Sequence, residues 1–217
     1  FGSTRHKNTP VSADEGLIKL LSAETQYVSI FGKANAQDVR SVLGTTLEEN
    51  LRMIYESVQL LVSQGRRVIF DAEHFFDGYI EDSEYALAAL TAAHEGGAQT
   101  ICLCDTNGGR LPSEIYDIAS RLKETGFNLG IHAHDDIGCG VANTLSAVQA
   151  GFNHVQGTLL GMGERCGNAN LSAIIPTLML KLGMDCIPQQ KLRLLTKQAR
   201  TVAEIANVLL PANLPYI

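Results

Sequence analysis

The chain has 217 residues, 45% of them apolar, which suits one well-filled domain. A net charge of −6 argues against a surface built to coat nucleic acid or an anionic membrane, so neither is expected as a partner. No apolar run reaches the roughly 18 residues of a membrane-spanning helix, and five scattered cysteines do not read as a disulfide framework.

The first residues, Phe1-Gly-Ser-Thr-Arg-His-Lys7, carry no apolar leader and look like the end of a strand. With no initiator Met, the chain reads as a piece of something longer, in reduced, cytoplasmic surroundings. Most of the cysteines are expected to be buried as small hydrophobes. From there one unit repeats: an apolar strand, a polar loop, an amphipathic helix, a glycine, the next strand. Strands are predicted at 27–31, 68–71, 100–104, 129–132 and 154–158, and their β-branched or continuously apolar character suits parallel strands covered on both faces. Leu47, Leu51, Ile54, Val58 and Leu61 form one helical stripe; Leu87, Leu90 and Ala93 a second; Ile115, Ile118 and Leu122 a third. Thr46, with Glu49 three residues on, and Ser113 read as helix starts. Gly65, Gly97, Gly126 and Gly151 read as left-handed helix ends. Beyond Leu182 come helices without clear strands.

Such units close into a barrel or form an open doubly wound sheet. Arg5, Lys33, Glu73, Asp105, Thr106, His132 and His134 all follow strand C-termini, and a barrel gathers such positions onto one face. Only five or six strands are legible, where a closed barrel needs eight. The expected class is α/β, an incomplete (β/α)8 TIM barrel over 1–182 with a post-barrel helical segment over 183–217.

Four motifs carry chemistry. In Leu129-Gly-Ile-His-Ala-His-Asp-Asp136, His132 and His134 share a strand face and suit a metal ion. Asp135 either orients one of these rings or opens the next turn. In Gly161-Met-Gly-Glu-Arg-Cys-Gly-Asn-Ala-Asn170, Asn168 or Asn170 offers an amide oxygen to a cation; equally, one caps the helix near Leu171, and Glu164 and Arg165 form structural ion pairs. In Phe70-Asp-Ala-Glu-His-Phe-Phe-Asp-Gly78, Asp71 and Glu73 share a face, and a carboxylate there suits a general base. His74 has the opposite parity, and Asp77-Gly78 reads as a turn. Cys104-Asp-Thr-Asn-Gly-Gly109 suits a small carboxylate or carbonyl ligand, or is only a tight loop. It lacks the Lys-Ser/Thr ending of a phosphate-cradling loop.

In this order the four motifs resemble the α-isopropylmalate, homocitrate and citramalate synthase family, and the resemblance runs along essentially the whole chain. Asp71-Ala-Glu-His-Phe-Phe-Asp-Gly-Tyr79, Leu103-Cys-Asp-Thr-Asn-Gly-Gly109 and Gly163-Glu-Arg-Cys-Gly-Asn-Ala-Asn170 look most like the citramalate branch, as do Phe1-Gly-Ser-Thr-Arg5 and Ile30-Phe-Gly-Lys33. The resemblance implies a (β/α)8 barrel, of which this chain holds roughly strands 3 to 8. It implies condensation of acetyl-CoA with a small 2-oxo acid, pyruvate in the citramalate branch, giving (R)-citramalate and CoA for isoleucine biosynthesis. It makes His132, His134 and Asn168 ligands of a divalent metal (Mg, Mn, Co or Zn), Glu73 the catalytic base and Thr106 the contact to the oxo-acid carboxylate. A homodimer is implied for the full-length protein.

Two departures stand beside the resemblance. The family's first-strand Arg-Asp pair, which includes a metal ligand, and its C-terminal histidine region are absent, so these 217 residues alone are expected to have little synthase activity. Asp135 stands where many relatives have asparagine, which leaves substrate choice open. The alternatives are a 2-isopropylmalate or homocitrate synthase acting on another 2-oxo acid, and a non-catalytic barrel remnant.

Overall fold

A computed structural model describes residues 1–217. Six strands, β1 (Gly2–Ser3), β2 (Tyr27–Lys33), β3 (Arg67–Glu73), β4 (Thr100–Asp105), β5 (Leu129–Ala133) and β6 (His154–Gln156), pair in chain order and all in parallel. Between them run α1 (Glu15–Ser22), α2 (Ala36–Asp38), α3 (Leu47–Ser63), α4 (Phe75–Glu81), α5 (Ser83–Glu95), α6 (Pro112–Leu122) and α7 (Gly140–Ala150). After β6 come α8 (Leu171–Lys181), α9 (Gln189–Leu192) and α10 (Leu195–Ala206). The strand order never reverses, so there is no switch point of the doubly wound kind. The sheet is the wall of an incomplete (β/α)8 barrel, as the sequence suggests. No helix is long and apolar enough to cross a membrane.

Two strand faces divide the labour. Val28, Ile30, Val68, Phe70, Ile101, Leu103, Leu129 and Ile131 enter one core with Leu17, Ile54, Leu61, Leu90 and Ile115 from the helices. Burying each large side chain of this set stabilises the fold by roughly 1.5–3 kcal/mol relative to exposure. The register puts Asp71 beside Cys102, Cys104 beside His132, and His132 beside Gln156, so the opposite, barrel-facing side is small and polar. The strands therefore alternate more than their apolar reading suggests, with apolar side chains on the helix-covered face and small or polar ones on the other.

Local signals place most of the elements. Thr46 Oγ1 accepts from Glu49 N at 3.1 Å to start α3. Gly65, Gly97, Gly126 and Gly151 adopt φ of +76°, +96°, +75° and +115°, as their positions between helix and strand predict. Four expectations need correction. Ser113 lies inside α6, which starts at Pro112 and is closed by Glu114 Oε2 accepting from Leu111 N at 2.8 Å, since a proline suits the first helical turn. Asp77-Gly78 is not a turn but lies in α4, where a Cβ on Gly78 would meet Ala34 O at 2.6 Å, so glycine lets the helix approach the β2 loop. The predicted strand 154–158 is paired only over His154–Gln156, with an isolated bridge at Thr158. Only Cys102 and Cys104 of the five cysteines are buried; all are free, and burial pushes both of these thiols up in pKa.

Candidate active site

The histidine pair is held by β5 and the turn after it. His132 Nε2 and His134 Nε2 face each other at 3.3 Å. Two nitrogens that each bind one ion at about 2.1 Å, at tetrahedral or octahedral angles, stand about 3.0–3.4 Å apart, so the observed spacing fits a shared divalent metal. His134 is 8% exposed, and burial, reinforced by the neighbouring His132, lowers its pKa and favours the neutral, ligating ring. Asn168 pairs with His134 through a backbone bridge. Its Oδ1 is buried without a hydrogen-bond partner while its Nδ2 donates to Met162 O at 3.2 Å, an oxygen acceptor left free on the residue whose backbone pairs with His134. A Cβ on Gly163 would collide with the Asn168 amide, so the glycine admits that side chain. Asn170 takes the other role: its Oδ1 accepts from Ser172 N at 2.9 Å and caps α8.

Two imidazoles and one amide oxygen fit a divalent cation as part of a ligand set. No group of three or more His, Cys, Asp or Glu gathers in this chain. Asp135 does not orient a ring: its Oδ1 accepts from Gly140 N at 2.6 Å at the start of α7.

Behind His132 stands a line of groups that the motifs alone did not assemble. His132 Nδ1 lies 3.0 Å from Gln156 Oε1, Gln156 Nε2 donates to Asp71 Oδ1 at 2.6 Å, and Ser29 Oγ donates to Asp71 Oδ2 at 2.8 Å. Burial raises the pKa of Asp71 and these two hydrogen bonds oppose it. The signal for Gln156 lay in register, directly beside His132, which no single-strand motif contains.

Glu73 ends β3 with Oε2 2.8 Å from Lys33 Nζ, so the pair orients the carboxylate at the strand end. Thr106 Oγ1 accepts from His74 N at 2.8 Å, which leaves its own hydrogen free to donate. His74 sits with Nε2 3.7 Å from Asp38 Oδ2, outside the histidine pair, as its parity predicts. Arg165 joins three strand-end loops: Nε and Nη2 donate to both oxygens of Asp136 at 2.7 and 2.9 Å, and Nη2 donates to Thr106 O at 2.7 Å. That fork holds the Asp136 pKa below the usual carboxylate range. Arg5 belongs to the scaffold, its guanidinium paired with Glu49 at 2.9 Å and Glu56 at 2.6 Å.

A model of the HMGL-like family matches residues 5–202. The chain is 56% identical to (R)-citramalate synthase of Aquifex aeolicus over 219 residues, covering 100% of this chain and 42% of that protein. It is 48% identical to (R)-citramalate synthase of Synechocystis sp., covering 100% of this chain and 41% of that protein. The chain thus spans about two fifths of the length of these relatives. Among solved structures, HMG-CoA lyase of Bacillus subtilis superposes with a TM-score of 0.79 at 19% identity over 98% of this chain and 71% of that one, a likeness of fold.

Proposed function

The chain belongs to the HMGL-like family, and from that membership we propose that it is the larger part of the catalytic barrel of a citramalate synthase. The whole protein joins acetyl-CoA to pyruvate, releases CoA and feeds isoleucine biosynthesis. The observation that carries this reading is the histidine pair at 3.3 Å, with a buried, unpartnered oxygen on Asn168, whose backbone pairs with His134, in a chain 56% identical to a citramalate synthase.

His132, His134 and Asn168 hold the divalent metal (Mg, Mn, Co or Zn), which when bound supplies Lewis-acid polarisation of the keto group. Thr106 donates its free hydroxyl hydrogen to the pyruvate carboxylate. Glu73, directly or through another group, takes a proton from the acetyl methyl. The resulting carbanion equivalent forms a carbon–carbon bond to the keto carbon as the C=O π pair moves to oxygen, which takes a proton to become the hydroxyl; water then cleaves the thioester to a carboxylate and the free CoA thiol. The methyl is a very weak acid, so the developing charge needs fixed dipoles in a water-poor site. Within the proposal, 1–182 is barrel and 183–217 a post-barrel segment, and the full-length protein is a cytoplasmic homodimer.

The test is thiol release from acetyl-CoA by the full-length protein with pyruvate, 2-oxoisovalerate or 2-oxoglutarate. Preference for pyruvate is expected; clear preference for a longer oxo acid overturns the citramalate assignment.

A further inference from the structure

Four strands contribute one polar side chain each to a line across the barrel-facing side: Ser29 from β2, Asp71 from β3, His132 from β5 and Gln156 from β6. With Asp71 ionised, the line's proton inventory has one solution. A carboxylate accepts and does not donate. Asp71 spends Oδ2 on the Ser29 hydroxyl and Oδ1 on Gln156 Nε2. Gln156 must therefore turn its NH2 to Asp71 and its carbonyl to His132. A carbonyl also only accepts, so His132 Nδ1 carries the hydrogen and its Nε2 keeps the lone pair, the nitrogen that faces His134.

We propose that Gln156 and Asp71 are positioning residues that lock the His132 tautomer and ring orientation, presenting Nε2 as a metal donor before any ion arrives. The inference rests on the metal reading above. Asp71 is 4% exposed, and burying a carboxylate costs stability that an apolar residue at the same place avoids. A residue kept there at that cost has work to do, and its only side-chain hydrogen bonds to protein are those to Ser29 and Gln156, the second of which leads to His132.

The experiment uses full-length protein with 15N-labelled histidine, first metal-free and then titrated with Mn²⁺ alone. The His132 ring is expected in the Nδ1–H form. Gln156→Leu is expected to lose that preference and to weaken Mn²⁺ binding by about 10–100-fold. The paired exchange Asp71→Asn with Gln156→Glu reverses the donor and acceptor between the two positions but still offers His132 an acceptor. It is expected to keep the tautomer and to bind Mn²⁺ more tightly than Gln156→Leu, which a merely structural role does not require. Should Gln156→Leu fail to fold, Asp71→Asn alone against the paired exchange carries the same comparison. An unchanged tautomer and unchanged Mn²⁺ affinity in Gln156→Leu overturns the proposal. His132→Ala separates the two claims: if it leaves Mn²⁺ affinity intact the metal reading fails, while the tautomer result still decides the role of Gln156.

Discussion

The middle of the sheet and its two edges are built to different standards. All six residues of β4 are buried, whereas β1 has two residues, β6 has three, and none of the β6 residues is buried. The candidate site straddles this divide. Glu73, Thr106 and His132 stand on or just after β3, β4 and β5, while Gln156 and Asn168 come from the thin edge at β6 and its glycine-rich loop. A site half on a finished wall and half on an edge is one that barrel closure completes. The contrast sets the facing histidine rings on the well-packed wall and the buried Asn168 oxygen on the edge loop.

The sharpest way to break the comparison is to empty the wall. Phe70→Ala, at a fully buried position on β3, is expected to cost about 3–5 kcal/mol in denaturant unfolding, against less than about 1 kcal/mol for Val155→Ala on the half-buried edge. Similar costs would show that the edge is as well packed as the middle. Removing a ligand comes next: His132→Ala or His134→Ala in the full-length protein is expected to weaken Mn²⁺ binding by about 100-fold or more, about 2.7 kcal/mol, read by calorimetric titration. Arg165→Ala cuts the tie between the edge loop and the wall at Asp136 and Thr106. Because the arginine side chain is 43% exposed, the expected loss of stability is under about 1 kcal/mol, with a raised KM for the oxo acid as the larger signature.

The smallest effect concerns pH. Burial raises the pKa of Asp105 at the end of β4, and a near hydrogen-bond network with Arg110 N and Asn143 only partly opposes this. The folded state thus favours the protonated carboxyl. That contribution is complete below the ordinary carboxylate value near 3.9 and is lost as pH rises through the folded value. Relative to wild type, Asp105→Asn should gain thermal stability from about pH 4 towards neutrality; a difference that stays flat or runs the other way contradicts the assignment.

Strand and helix positions were legible because each rests on local chemistry: apolar stripes, the Thr46 cap, glycines at +φ. What the linear pattern concealed was tertiary. Gly78 looks like a turn beside Asp77, yet it serves a close helix approach that only the folded chain reveals. Spacing alone did not tell the paired asparagines apart; in the fold Asn170 caps α8 while the Asn168 oxygen stays buried and unpartnered. Asp135 looked equally suited to orienting a histidine ring and to a turn, and the amide of Gly140 decides for the latter. Spacing found His132 and His134 because both lie on one strand end. It did not find the Gln156 link, since that contact depends on register between two strands separated by a whole helix.

The most direct test of the account is thiol release from acetyl-CoA and pyruvate by the full-length protein after chelation and then return of Mn²⁺. The account predicts that turnover stops on chelation, resumes with Mn²⁺, and fails to resume in His132→Ala. Undiminished turnover in the chelated protein, or full Mn²⁺ rescue of His132→Ala, would contradict it.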